Sequence, residues 1–380
     1  MTARLHAVIA QRTPIGWANL EDFDLGPGSD VAYRIVIDQP EWTLYGLDHA
    51  RDFAVFTDLP PGTDLADSPF AYATQHRLAR RVLTIPLAEL EAVADLAPAA
   101  PRVILIFSIG RCGSTLLSHA LNTVPGVWCL SEPDAFSNLI LQHYDSPARS
   151  GFADDQVIRL IRACTRLQFR PPAGRQADVF AMKFRSQTLF QADLYRRALP
   201  DAACVFLYRD ALGWSNSVYS MIRQYGFPDT VTGAHRSLVW SIFTAAADPA
   251  PMAAVIDLSA PELPSELALG PAWSCNMAEY TRHLTAGVPF LALRYNEFNR
   301  DREASIARLL RHCGLPEAYA AAALQAFEKD SQSGTHLSRD VTTDRLTPDR
   351  LARLAALMKR LPAFSDPDLI LPDATSTRPA

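Results

Sequence analysis

The stretch VILIFSIGRCGSTLLSHAL, at 103–121, constrains this chain more than any other. Its first five residues, 103–107, are all apolar and fit a strand covered on both faces. Leu116, Leu117, Ala120 and Leu121 recur at helical spacing behind it. Gly110 and Gly113 allow the tight turn that must join the two. The amides from Cys112 to Thr115 then open a helix, and they point their N–H groups and the positive end of the dipole above the sheet. Such a junction holds a phosphate or sulfate ester best. It is not a Walker A loop, because Ser114, not lysine, follows Gly113, and the cation is Arg111. The alternative is an ordinary strand-to-helix turn capped by Ser114 or Thr115. Two glycines and an arginine at one junction favour the anion site.

With 380 residues, 48% of them hydrophobic, the chain can bury a large core and is expected to hold one large α/β domain and an accessory module. No segment approaches the roughly 18 consecutive apolar residues of a membrane span, and the first ten residues lack the pattern of a signal peptide. A cytoplasmic location is expected. The six cysteines are scattered without C-x-x-C pairs, which argues against a disulfide framework and against a zinc site and predicts buried thiols. A formal charge of −5 gives no overall attraction to nucleic acid or anionic lipid.

Residues 1–97 read as a β-rich N-terminal module, with short strands at 30–38 and 42–47 and a helix over 72–93. An Ala-Pro run at 96–101 marks the boundary. Residues 98–365 read as an α/β domain. Apolar runs at 103–107, 127–130, 179–183, 203–208 and 290–295 alternate with helical stretches, as a five-stranded parallel sheet requires. Residues 247–271, rich in proline and alanine, read as an insertion that could cover a site as a lid. Helices are expected at 306–313 and 318–327, and a loose tail at 366–380.

Open α/β sheets bind ligands outside the carboxyl ends of their strands. The five predicted strands lead into Arg111, Ser131-Glu132-Pro133, Lys183-Phe184-Arg185, Arg209-Asp210 and Arg294-Tyr295. Arginine binds phosphate with a planar fork, a lysine can neutralise a leaving phosphate, and a positioned carboxylate can take a hydroxyl proton. Each residue alone also has a plain reading as a solvated strand end. His119 rivals Glu132 as a base, but it lies inside the helix after the loop, where a histidine more often packs. Trp214 reads as core.

The sequence R-C-G-S-T-L-L after a hydrophobic strand resembles the 5′-phosphosulfate loop of the sulfotransferase family, whose donor is 3′-phosphoadenosine 5′-phosphosulfate (PAPS). The resemblance covers about 102–339. It implies a P-loop-type α/β three-layer sandwich with a five-stranded parallel sheet, here preceded by the β-rich module. It assigns Arg111, Cys112, Gly113, Ser114 and Thr115 to the 5′-phosphosulfate, with Cys112 in place of the usual serine. Arg209 and Ser217, in LYRDALGWSNSVY, become the 3′-phosphate pair. Met221 stands where many relatives carry a further arginine, for which Arg223 is the nearest substitute. Glu132 becomes the base, Lys183 the partner of the bridging oxygen, and Tyr295, in LALRYNEF, a neighbour of the adenine. Ser333 and Arg339 belong to a polar loop that would close over the nucleotide.

What the resemblance implies is sulfuryl transfer to a hydroxyl or amine of a small organic acceptor, without a metal. Acceptor loops are expected at 134–151, at 224–235 and in the insertion, with Phe136, Tyr144, Tyr225 and Phe227 as an apolar wall that helix packing would explain equally well. A homodimer stays open. Two other functions stay open as well. One is an ATP-dependent small-molecule kinase, which would need a Walker lysine that is absent and a metal-binding acid for which Asp210 is the candidate. The other is a non-catalytic nucleotide-binding protein with a degenerate site, which Cys112 and Met221 favour.

Overall fold

The computed structural model describes residues 2–14, 16–99, 101–144, 153–232, 255–257, 259–328 and 344–373. Five parallel strands form one sheet: β7 (Arg102–Ser108), β8 (Gly126–Ser131), β9 (Ala177–Lys183), β10 (Ala203–Tyr208) and β13 (Phe290–Arg294), in the order β13-β10-β7-β9-β8. These are the five predicted apolar runs. They are buried almost throughout, with Ile104, Leu105, Ile106, Phe107, Phe180, Met182, Val205 and Phe206 inaccessible to solvent. The order reverses direction at β7, the position where such sheets carry a ligand at the carboxyl ends. Among the described residues, no helix is long and apolar enough to cross a membrane. All six cysteines are buried.

The chain divides into two compact units, one of residues 1–106 and 117–203, the other of 107–116 and 204–380. The first carries an antiparallel sheet of β1 (Thr2–Gln11), β2 (Phe23–Leu25), β3 (Ser29–Ala32), β4 (Trp42–Asp48), β5 (Phe53–Asp58) and β6 (Arg81–Pro86). The order is β2-β1-β6-β5-β4, and β3 also pairs with β1. Two sequence expectations are corrected here. Residues 72–93 are not one helix: a helix at Ala71–Leu78 gives way to β6 and then to a short helix at Leu90–Ala94. Val82, Thr84 and Ile85 are β-branched and buried, and β6 pairs with both β1 and β5, so tertiary pairing overrides helical spacing. Within 30–38 only the start is strand. Residues Ile35–Asp38 form a helical turn supported by an Arg34–Asp38 ion pair at 3.3 Å.

Strand β4 is buried along its whole length. At its bulge Gly46 leaves room for the backbone of Ala18, since a Cβ there would sit 2.4 Å from the Ala18 carbonyl oxygen. The Asn138 side chain fills the remaining space. It donates to the Ala18 carbonyl at 3.0 Å and accepts from the Leu47 amide at 2.9 Å. The module is thereby tied to the helix Ala135–Tyr144.

In the second unit, β11 (Thr230–Thr232) and β12 (Glu262–Pro264) form a two-stranded antiparallel sheet, and the helix Leu269–Thr285 follows. Pro271 of the expected insertion therefore sits in the first turn of that helix, where its missing N–H costs nothing. Residues 247–254 and 258 of the insertion lie outside the described residues. The part of the expected tail that is described is held: the Tyr208 hydroxyl accepts from the Leu371 amide at 3.0 Å, the Ala211 amide donates to the Pro367 carbonyl at 2.8 Å, and Arg308 pairs with Asp373. These backbone bonds could not be read from the sequence of the tail itself.

His49 lies just past β4 with Nε2 donating to the Asn138 carbonyl at 3.1 Å, and burial lowers its pKa from 6.5 to about 4. Between those values the unfolded chain binds a proton that the folded chain refuses. Stability should therefore fall as pH drops from 6.5 to 4, by up to about 3 kcal/mol from this group. Urea melts across that window should show a flatter pH dependence for His49→Gln than for the native chain. Parallel curves would contradict the assignment.

Candidate functional site

The glycine loop belongs to the second unit. Gly110 (φ 69°), Arg111 (φ 51°) and Gly113 (φ 84°) all take left-handed backbone, and the helix Ser114–Asn122 begins directly after. The loop is fastened on several sides. The Ile109 amide donates to the Leu207 carbonyl of β10 at 3.2 Å, the Trp214 indole donates to the Ile109 carbonyl at 3.0 Å, and the Ser108 hydroxyl accepts from the Gly110 amide at 3.3 Å. Trp214 is thus core, as read, and also a brace for the loop. The Tyr295 ring presses on Gly113, where a Cβ would lie 3.0 Å from the ring. Glycine is required there by both φ and space.

Cys112 is fully buried, and its Sγ donates to the Leu207 carbonyl at 3.4 Å. Its side chain faces the sheet, which leaves its part in the expected anion site to the backbone. Ser114 and Thr115 are also buried, with the Ser114 hydroxyl 3.3 Å from that of Ser108.

Arg111, Arg209, Ser217 and Tyr295 come together around this loop. Arg111 Nε donates to the Ser217 hydroxyl at 3.2 Å, and the Arg209 guanidinium lies over the Tyr295 ring at 4.7 Å. Burial lowers the Arg111 pKa; Cys112 opposes this, the like charge of Arg209 adds to it, and Tyr225 and Tyr295 oppose it more weakly. Arg209 Nε is buried and has no hydrogen-bond partner among the described residues. Its nearest acid, Asp210, stands 3.7 Å away and spends its Oδ1 as N-cap on the Gly213 amide at 2.6 Å. Two cations in a half-buried place, one with an unused donor, suit an anion with several oxygens.

Arg223 does not supply a third cation, because it is engaged by Asp344 at 3.1 Å and by the Phe227 carbonyl at 2.6 Å. Ser333 and Arg339 lie outside the described residues. Tyr225 is 56% exposed.

In the first unit, Glu132 and Lys183 are brought together at the ends of β8 and β9. The Glu132 amide donates to the Lys183 carbonyl at 2.6 Å, and the Lys183 ammonium donates to Glu132 Oε1. Lys183 is 4% exposed along its side chain and Glu132 15%. Glu132 has φ 55° although Pro133 follows, a conformation that costs backbone energy in a non-glycine residue. The described chain has four such non-glycine residues, and Arg111 and Glu132 are two of them.

Beside this pair, Arg185 Nε and Nη2 donate to the two oxygens of fully buried Asp134 at 2.6 and 2.8 Å, and Arg185 reaches Glu132 Oε2 at 3.8 Å. Burial alone would lower the Arg185 pKa, but the charge of Asp134, joined by Tyr72, Glu132 and the hydrogen bonds to Asp134, outweighs it and the value is raised. The Ala18 amide donates to Asp134 Oδ2 at 2.9 Å. The Tyr72 ring lies 4.2 Å from the Arg185 guanidinium, and the Phe70 ring 5.9 Å from the Lys183 ammonium. Asp134, Phe70 and Tyr72 escaped the sequence reading, since nothing local to them signals a partner from 51 to 116 residues away in the chain. Phe136, expected as an acceptor wall, is instead buried core packed on Phe184 at 5.5 Å. The side chain of Tyr144 lies outside the described residues. His119 is half-buried, and burial lowers its pKa.

No protein-family model matches the chain, and no curated protein matches it. Solved structures similar to it include sulfotransferases. One from Alicyclobacillus acidocaldarius is 17% identical over 72% of this chain and 98% of its own, with a TM-score of 0.39. STF1 from Mycobacterium tuberculosis is 14% identical over 70% of this chain and 78% of its own, with a TM-score of 0.40. Mouse SULT7A1 complexed with PAP is 12% identical over 73% of this chain and 92% of its own, with a TM-score of 0.37.

The left-handed backbone at Arg111 gives a stability test that needs no ligand. Arg111→Gly and Arg111→Ala remove the same charge and the same bond to Ser217, but only glycine relieves the conformation. The glycine variant should be more stable than the alanine variant by about 1 kcal/mol in urea denaturation. Equal stabilities would show that the conformation carries no strain.

Proposed function

We propose that this protein is a sulfotransferase that moves a sulfuryl group from PAPS to a hydroxyl of a small organic acceptor and releases adenosine 3′,5′-bisphosphate, in a cytoplasmic setting. The observation that carries the reading is the gathering of Arg111, Arg209 and Ser217 around the glycine loop, with the buried Nε of Arg209 lacking an acceptor among the described residues. These donors fit a nucleotide that bears phosphate at two positions. The loop from Cys112 to Thr115, through its backbone, would hold the 5′-phosphosulfate together with Arg111. Arg209 and Ser217 would hold the 3′-phosphate, and Tyr295, already under the Arg209 guanidinium, would border the base. Ser333 and Arg339 remain candidates for closing over the nucleotide.

PAPS supplies an activated sulfuryl group on a phosphate leaving group. Glu132 takes the acceptor proton as the new oxygen–sulfur bond forms. Lys183 fixes the orientation of that carboxylate and offers positive charge to the departing phosphate oxygen, which keeps the electron pair of the broken sulfur–oxygen bond.

Thermal melts with adenosine 3′,5′-bisphosphate, with ADP and Mg²⁺, and with no ligand test the donor. The 3′,5′-bisphosphate alone should raise Tm, on the order of 5 °C at a hundredfold excess over Kd, and Arg209→Ala should abolish the rise. Stabilisation by ADP with Mg²⁺ instead would establish the kinase reading. Glu132→Gln should keep the nucleotide-induced rise and lose at least a hundredfold in transfer of label from radioactive PAPS. Nucleotide binding by a native chain that turns over no acceptor would point to the non-catalytic binding protein.

A further inference from the structure

The antiparallel sheet module takes part in the surroundings of the Glu132–Lys183 pair. Phe70 and Tyr72 flank the start of the helix Ala71–Leu78, and their rings stand 6.1 Å apart at a tilt of 32°. Each faces one cation: Phe70 the Lys183 ammonium at 5.9 Å, Tyr72 the Arg185 guanidinium at 4.2 Å. Both rings are partly exposed, whereas Lys183 is buried. A third residue of the module, Ala18, gives its amide to Asp134.

The charges of this cluster balance. Glu132 pairs with Lys183, and Asp134 takes both forks of Arg185. The remaining face of each cation is turned to an aromatic ring, whose negative face satisfies it further. Among these four groups two cations are matched by two carboxylates, so the cluster has no excess of cations that would select an anionic acceptor. What the module exposes beside the carboxylate is ring surface, which recognises another ring or an apolar body by stacking and burial.

We propose that Phe70 and Tyr72 form an acceptor-binding wall and that the acceptor is an uncharged, ring-bearing hydroxyl compound, not an anionic saccharide. The proposal rests on the reading of Glu132 as the group that takes the acceptor proton. It gives the N-terminal module a role in substrate selection.

The test uses the full chain saturated with adenosine 3′,5′-bisphosphate and follows binding of 2-naphthol by its own fluorescence, with glucuronic acid as competitor. The native chain should bind 2-naphthol, and glucuronic acid should not displace it. Phe70→Ala and Tyr72→Ala should each weaken 2-naphthol binding about tenfold, with Phe70→Leu in between. Tm of each variant, with and without the nucleotide, reports whether fold and donor half are intact, and the Phe70→Leu comparison stands where Phe70→Ala fails to fold. Absence of 2-naphthol binding in the native chain, displacement by glucuronic acid, or binding unchanged within twofold in the variants would overturn the wall. If the nucleotide leaves Tm unmoved, the sulfotransferase reading falls, while the same titration without nucleotide still decides the wall.

Discussion

A parallel sheet delivers the carboxyl ends of all its strands to one edge, and four of the charged groups at the candidate site are mounted there. Arg111 follows β7, Glu132 follows β8, Lys183 ends β9 and Arg209 follows β10. Because the strands are buried on both faces, their ends are the first positions at which a polar side chain can reach a partner of opposite charge or solvent. The sheet thus concentrates polar chemistry without needing any one loop to be long. The reversal of strand order at β7 adds the opening in which the glycine loop can present its amides.

That concentration works against stability at two places. Arg111 is half-buried with a like charge beside it, and its backbone is left-handed; Glu132 is left-handed before a proline. Neither feature serves folding. Each is held in place by its surroundings: the loop by Trp214, Leu207 and Tyr295, and Glu132 by the Lys183 carbonyl and ammonium. Strain that neighbouring bonds enforce, at the residues with the most chemical potential, is what a preorganised binding site would show. Under the proposed function the anion compensates the like charges, so that ligand binding and stability should be linked.

The sheet was largely legible in the sequence because each core strand is a continuous apolar run, and burial on both faces requires that pattern. The residues that gather around the glycine loop, Arg111, Arg209, Ser217 and Tyr295, could be named for a related reason: they occur in short motifs anchored to those strands. The helix expected over 72–93 failed where Val82, Leu83, Thr84 and Ile85 pair with two distant strands, information that local spacing does not hold. The direction of the Cys112 side chain was not legible for the same kind of reason, since only the position of the Leu207 carbonyl decides which way it turns. The bidentate grip of Arg185 on Asp134 joins residues 51 apart in the chain, and the bond from Ala18 to Asp134 spans 116. Contacts of that separation leave no periodicity to read.

The same long-range bonds make the N-terminal module more than an attachment. Asp134 is fully buried with a charge that only Arg185 neutralises, and one of its oxygens is completed by the Ala18 amide. The segment carrying Ala18 is in turn seated against Gly46, where any side chain would collide with its carbonyl, and locked by Asn138 on the same helix that Asp134 begins. Withdrawing the module would leave a buried carboxylate short of a donor and an asparagine with unused donors and acceptors, each costing about 1–3 kcal/mol. Loss of Arg185 alignment would then reach Glu132 through the 3.8 Å approach between them. The orientation of the carboxylate at the end of β8 therefore depends on a sheet that begins at the second residue of the chain, and selection on the chemistry of that carboxylate would act on the module as well.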